Sequence, residues 1–80
     1  MIDEREEMTY GQKAVGLTFE PSGDHEVNVC KAAFAIVINQ MNDLRNSSYS
    51  TPEIARMCSI AITEAQTAQM WAVKAITWKY

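Results

Sequence analysis

The stretch that decides the fold runs from Thr51 to Lys79, TPEIARMCSIAITEAQTAQMWAVKAITWK. Thr51 is a candidate N-cap with Pro52 at the first helical position, and Ser50 with Glu53 is an alternative capping box one residue earlier. Small or apolar residues then recur every three or four positions, at Ile54, Cys58, Ala61, Ala65, Ala68, Ala72 and Ala75. This spacing predicts one α-helix over about 52–79, with a face made mostly of alanine.

A bulkier apolar repeat precedes this helix, made of Val27, Cys30, Phe34, Val37, Met41 and Leu44. Its alternating spacing of three and four predicts a helix over about 24–45, with Ser22 or Asp24 as the N-cap. Only the short segment 45–51 separates the two helices, so we expect them to pack as an antiparallel hairpin. The predicted fold class is therefore mainly α: a helical hairpin domain over 17–80.

The N-terminal part lacks a sustained period. Residues 1–16 are predicted to form an arm that is at most partly ordered, because 1–9 are acidic and polar and Gly11 and Gly16 favour turns. The segment 10–19 is predicted to be irregular, with a short extended piece over 15–19 that Phe19 pins to the core.

Composition excludes several function classes. The chain has 80 residues, of which 48% are hydrophobic, and only three Gly and two Pro, as in one small ordered domain. It has neither an apolar run of about 18 residues nor a signal-peptide-like start, so we expect no membrane association and a cytoplasmic location. The net charge of -3 argues against DNA or RNA as a partner.

Catalytic and metal chemistry have little support in the sequence. His25 is the single histidine and has no evident partner, and the two cysteines lie inside apolar repeats without a CxxC spacing. There is no phosphate-binding glycine loop. We therefore expect no enzyme activity, no cofactor and no metal.

Self-association is expected from the apolar stripes beside the alanine face. Trp71 and Trp78 form one stripe and Ile62 and Ile76 another, and two helices cannot cover both. Exposed apolar patches of this kind mark association surfaces. We predict a homo-oligomer.

Several polar residues of the second helix allow two interpretations. Arg56 could bind a phosphate or could simply pair with Glu53. Ser59, Thr63 and Thr67 form a row of hydroxyls that could contact a ligand or bond back to the preceding turn. Trp71 could stack on a purine, or could pack in the core or at an interface.

The second helix also carries a more specific pattern: Arg56, then Ser59-Ile60-Ala61-Ile62-Thr63, then Ala68-Gln69-Met70-Trp71-Ala72. It resembles the C-terminal signature of the phage anti-Thoeris cyclic-ADP-ribose sponges, which share one small hairpin domain with the anti-CBASS sponges. Phe19-Glu20-Pro21 and Ile38-Asn39 also fit this family, so the resemblance covers about residues 17–77.

The resemblance implies a non-enzymatic viral anti-defence protein of the host bacterial cytoplasm. Such a protein sequesters a cyclic nucleotide immune signal, of the cyclic ADP-ribose type or a cyclic oligonucleotide, in pockets at the protomer interfaces of a homodimer or homohexamer. The ligand-binding residues that it implies are Phe19, Asn39, Arg56, Ser59, Thr63 and Trp71.

The sequence departs from the family where Val73 and Trp78 replace an Asn and an Arg, and Lys74 is the nearest positive charge. We therefore add Lys74 to the predicted ligand-binding residues, and the departures are compatible with either a different messenger or the loss of messenger binding. The alternative hypothesis is a structural or partner-binding prophage protein with no nucleotide ligand, whose tryptophans contact another polypeptide.

Overall fold

A computed structural model of the chain describes residues 7–17 and 24–80. It contains three helices, α1 over Tyr10–Ala14, α2 over His25–Arg45 and α3 over Pro52–Ile76. Helices α2 and α3 pack against each other as a hairpin, and α1 packs on α2. The mainly α fold class is confirmed.

The first residues of the two long helices are fixed by side-chain caps. The carboxylate of Asp24 accepts the backbone N–H of Glu26 at 2.8 Å, which makes Asp24 the N-cap of α2. The hydroxyl of Thr51 accepts the N–H of Ile54 at 3.2 Å and Pro52 occupies the first turn of α3, so Thr51 is the cap of that helix. Each cap satisfies a backbone donor that has no partner within its helix.

The end of α3 differs from the prediction of a helix reaching about residue 79. The helix ends at Ile76, and the hydroxyl of Thr77 donates to the carbonyl of Val73 at 2.8 Å. Thr77 is the C-cap, with φ -93° and ψ 3°, so Trp78 and the residues after it lie beyond the helix.

The faces that the long helices bury are rotated from the predicted ones. The core consists of Val15, Ala35, Ile38 and Ile62, with Val27 and Cys58 also buried. Val37 and Leu44 of the predicted α2 face and Ala68 and Ala75 of the predicted α3 face are exposed instead. α1 packs on α2, and Val15, which follows α1, lies in the core with Ile38 and Ile62, so part of the apolar surface of the two long helices contacts this N-terminal segment.

Residues 10–14 form a helix, so the prediction of irregular structure there is wrong. Thr9 and Gln12 form a capping box in which each side chain accepts the other's backbone N–H. Gly11 lies against α2 so closely that a Cβ atom would come within 2.2 Å of the Ala35 carbonyl oxygen. Glycine is therefore what lets this short helix dock.

The chain after α1 turns rather than extending. Val15 is buried in the core, and Gly16 has a φ of 63°, which favours glycine. The ammonium group of the buried Lys31 donates to the Gly16 carbonyl at 3.1 Å and so ties this turn to α2. The predicted extended piece is thus contradicted over 15–17, while Phe19 lies outside the described residues.

None of the helices in the described ranges has the length and hydropathy required to span a bilayer.

Candidate functional site

Asn39, one of the predicted ligand-binding residues, joins α2 to the start of α1. Its side-chain oxygen accepts the Gly11 N–H at 2.7 Å, and its amide nitrogen donates to the Thr9 hydroxyl at 3.0 Å. These two bonds hold the N-terminus of α1 in place. Contact between Asn39 and a ligand remains a prediction, and one amide hydrogen is left to make it.

Nearly two turns further along α2, Arg45 lies at the centre of a group drawn from all three helices. Its Nε donates to the Asn42 side-chain oxygen at 3.1 Å and its Nη1 to the Ser59 hydroxyl at 3.0 Å. The guanidinium carbon lies 5.2 Å from the centre of the Tyr10 ring, within cation–π distance. We name Tyr10, Asn42, Arg45 and Ser59 the Arg45 cluster.

The two arginines near this surface differ in how their charge is compensated. Arg56 forms an exposed ion pair with Glu53 one turn earlier, and this contact lowers the pKa of the Glu53 carboxyl. Within the described chain, Arg45 contacts neutral groups and forms no ion pair with a carboxylate. The half-buried Arg45 therefore keeps a positive charge that an anion could neutralise.

The hydroxyl row of α3 bonds backward along its own helix. Ser59 donates to the Ala55 carbonyl at 2.9 Å, Thr63 to the Ser59 carbonyl at 3.1 Å, and Thr67 to the Thr63 carbonyl at 3.2 Å. Donation to the backbone leaves the hydroxyl oxygens as acceptors, so the two interpretations of the row are compatible.

A second group of cationic and aromatic side chains surrounds the C-terminal end of α3. The Lys74 ammonium lies 5.2 Å from the Trp71 ring centre and 5.7 Å from that of Trp78. Tyr80 meets Trp78 edge-on at 5.4 Å between ring centres. We name Trp71, Lys74, Trp78 and Tyr80 the tryptophan cluster, and all four are exposed.

The predicted residues of α3 share one exposed stripe but do not form one pocket. Arg56, Ser59, Thr63, Trp71 and Lys74 follow one another at intervals that keep them on the same side of the helix. Arg56 and Lys74 are 18 positions apart, or about 27 Å along the axis. A ligand pocket of about 300–1,000 Å³ is only about 7–10 Å across, so the two cannot contact one small ligand within a single chain.

A shallow cavity of about 440 Å³ lies beside the tryptophan cluster, lined by Asp24, Ile76, Thr77, Trp78 and Lys79. The Asp24 carboxylate already occupies the N-terminus of α2, where it would repel a phosphate. Over the described ranges, no group of His, Cys, Asp and Glu has the geometry of a metal site. Cys30 and Cys58 are both free thiols.

Sequence reasoning missed Tyr10, Asn42 and Arg45. Asn39, Asn42 and Arg45 recur at three-residue spacing on one side of α2, which is a usable signal for a polar cluster. The contribution of Tyr10 comes from a helix that was not predicted.

Comparisons with known proteins support one family. The family model described as "Acb2/Tad1, hairpin domain" matches residues 12–77, which include all three helices except the first two residues of α1. No curated protein and no solved structure matches the chain.

Proposed function

Since the chain belongs to the Acb2/Tad1 hairpin family, the anti-CBASS and anti-Thoeris sponges, we propose that it is a viral anti-defence protein that sequesters a cyclic nucleotide signal of its bacterial host. It binds the signal without cleaving it. We place this activity in the host cytoplasm and the binding pockets at the contacts between copies of the chain, in a homodimer or homohexamer.

The observation that carries the proposal is the uncompensated charge of Arg45. Cyclic nucleotides present phosphates beside bases, and the Arg45 cluster presents a guanidinium beside an aromatic ring and a hydroxyl. Charge-assisted bonds from arginine to phosphate are among the strongest that a protein makes. Tyr10 remains 45% exposed and can contact a base at the same time.

The other predicted residues take supporting roles in this proposal. Ser59 and Thr63 offer hydroxyl oxygens to ribose or base edges, and Arg56 adds a second, partly neutralised charge to the phosphates. Asn39 acts mainly by positioning α1. Phe19 is proposed as a further aromatic contact on the basis of the family alone.

Trp71 and Lys74 are proposed to contact the ligand from a neighbouring copy of the chain. Along α3, Trp71 lies about 22 Å and Lys74 about 27 Å from Arg56, which is too far for one pocket within a single protomer. The proposal therefore needs a second copy of the chain to bring these two side chains to the ligand. The tryptophan cluster is also the feature that favours the alternative, a surface that docks another polypeptide, because Trp71 is 66% exposed.

Isothermal titration calorimetry with a panel of cyclic ADP-ribose isomers, cyclic dinucleotides and cyclic trinucleotides tests the proposal. We expect at least one ligand to bind and to be recovered intact after heat release. Arg45→Ala should weaken this binding about 10- to 100-fold, the loss expected for a charged hydrogen bond.

Arg56→Ala is the matched control, because it removes the same side chain from the neighbouring helix. We expect it to weaken binding less than Arg45→Ala does, since Glu53 already neutralises part of its charge. Absence of binding to the whole panel would contradict the sponge. If Arg56→Ala weakened ligand binding more than Arg45→Ala did, we would conclude that the phosphate is bound by residues of α3 alone.

A further inference from the structure

Two arginines of the hairpin each bind a side chain three positions earlier in the same helix. On α3, the two carboxylate oxygens of Glu53 accept from both Nε and Nη2 of Arg56. On α2, the single side-chain oxygen of Asn42 accepts from Nε of Arg45 at 3.1 Å. Residues three apart are neighbours on a helix surface. Because the spacing is the same, the two pairs differ only in the chemistry of the acceptor.

The amide acceptor leaves most of the Arg45 guanidinium open. A guanidinium carries five N–H groups. Asn42 accepts from one of them and the Ser59 hydroxyl from a second, at 3.0 Å. Within residues 7–17 and 24–80, the other three, two of which are on Nη2, have no hydrogen-bond partner. A carboxylate at position 42 would be able to accept from Nε and Nη2 together, whereas the amide nitrogen of asparagine donates and cannot accept.

The orientation of Asn42 is itself fixed by the C-cap of α2. The side-chain nitrogen of Asn46 donates to the Asn42 backbone carbonyl at 2.9 Å and lies 3.4 Å from the Asn42 side-chain oxygen. Donors from Asn46 and Arg45 therefore converge on this one oxygen, so the amide must present its oxygen, and not its nitrogen, to the guanidinium.

We propose that Asn42 is the positioning residue of the anion site. It directs the Arg45 guanidinium through Nε and, because it is a neutral acceptor, it preserves the positive charge and the Nη2 donors for a phosphate. The inference rests on the proposed function, since it concerns the same site. It adds that a carboxylate at position 42 closes the site without disturbing the fold, because the guanidinium then binds an internal anion in place of the phosphate.

The next residue, Asp43, makes a charge-conserving test possible. Over the part of the chain that the structure describes, Asp43 is exposed and forms no ion pair. Combining Asn42→Asp with Asp43→Asn keeps the net charge at -3 and moves one carboxylate about 100° around α2 to the side of Arg45. We name this double substitution the swap variant. Asp43→Asn alone is the matched control.

Calorimetry with the cyclic nucleotide panel measures the effect on the proposed ligand. The swap variant should bind about 10- to 100-fold more weakly than the wild type, as Arg45→Ala does, because both lose the same charged hydrogen bonds. Asp43→Asn should change the affinity by no more than about twofold. Thermal unfolding followed by circular dichroism should show that the swap variant is at least as stable as the wild type, since it gains an ion pair.

Nuclear magnetic resonance of the arginine Nε–H groups gives a second readout that needs no cyclic nucleotide. The chain has three arginines, so the Arg45 signal is identified by its loss in Arg45→Ala. In the free protein, Asn42→Ala should speed exchange of this hydrogen with water about 3- to 10-fold, because it removes the acceptor. Inorganic pyrophosphate, which offers phosphates without a base, should shift the signal in the wild type and not in the swap variant.

The inference is overturned if the swap variant binds ligand or pyrophosphate as the wild type does. It is also overturned if Asn42→Ala leaves the hydrogen exchange of Arg45 unchanged, or if pyrophosphate leaves the wild-type signal unmoved. Absence of binding to the whole cyclic nucleotide panel, with the two resonance results as expected, would instead contradict the proposed function and leave the role of Asn42 in an anion site supported.

Discussion

The Arg45 cluster and the tryptophan cluster use the same kind of contact in two different ways. In each, a cationic group lies 5.2 Å from the centre of an aromatic ring. Arg45 takes its partners from three helices, whereas Lys74 takes its partners from α3 and the residues that follow it.

This difference determines how firmly each group is held. The position of Arg45 depends on the docking of α1, because Tyr10 belongs to that helix, and on the hairpin, because Ser59 lies on α3. Lys74 keeps its contacts whenever α3 is helical. The first cluster is thus preorganised by the tertiary fold, which lowers the entropic cost of binding a ligand, and the second can adapt to a partner.

Gly11→Ala is expected to have the largest effect, because it should disturb the Arg45 cluster and leave the tryptophan cluster unchanged. The new Cβ atom would overlap the Ala35 carbonyl and push α1 off α2. We expect the melting temperature to fall by roughly 5–20 °C, from an overpacking cost of about 1–3 kcal/mol. Ligand affinity should fall about as much as in Arg45→Ala, because Tyr10 loses its place beside the guanidinium.

Both tryptophans of the chain belong to the tryptophan cluster, so tryptophan fluorescence reports on that cluster alone. Its emission should be unchanged in folded Gly11→Ala. Lys13→Ala, an exposed change in the same short helix, is the control and should preserve stability and affinity. If Gly11→Ala bound ligand as the wild type does, the Arg45 cluster would not depend on α1.

The same contrast explains how much could be predicted from the sequence. The caps at Asp24 and Thr51 and the stripe of Trp71, Lys74 and Trp78 depend on residues close together in the chain, and local spacing indicated them. The contact between Tyr10 and Arg45 joins positions 35 residues apart, and no periodicity encodes it. The family resemblance pointed to α3, where its signature lies, and therefore to Arg56.

The rotation of the buried faces has a related cause. The apolar repeats correctly predicted two helices. They could not show which of the apolar residues are buried between α2 and α3 and which remain exposed. Ala68 shows the consequence: it was predicted to lie between α2 and α3, yet it is exposed, so Ala68→Leu is not expected to force these helices apart. The docking of α1 on α2, through Gly11 and Asn39, is a contact that the apolar repeats do not encode.

A smaller effect is expected from Lys74→Ala. The exposed cation–π contacts are worth about 0.5–1 kcal/mol, which corresponds to about a two- to fivefold loss of affinity if the cluster contacts the ligand. The tryptophan emission should shift, because the charge is removed from both rings. A loss as large as that of Arg45→Ala, measured by the same calorimetric titration, would make the tryptophan cluster the principal anion site.

The smallest effect concerns the pair of Glu53 and Arg56, which compares a neutralised arginine with the uncompensated Arg45. The hydrogen bond from Arg56 lowers the pKa of the Glu53 carboxyl and raises that of the guanidinium. A carboxyl with a lower pKa in the folded than in the unfolded state stabilises the fold above its unfolded pKa, and the contribution disappears as the pH falls through the folded pKa.

Between pH 6 and 8 the ion pair of Glu53 and Arg56 is therefore intact. Glu53→Gln should release Arg56 and strengthen binding of an anionic ligand by about twofold, a change typical of exposed pairs. Calorimetric titrations at pH 7 in low and high salt measure this gain, which salt should reduce. A loss of affinity in Glu53→Gln would mean instead that Glu53 holds Arg56 in the orientation that the ligand needs.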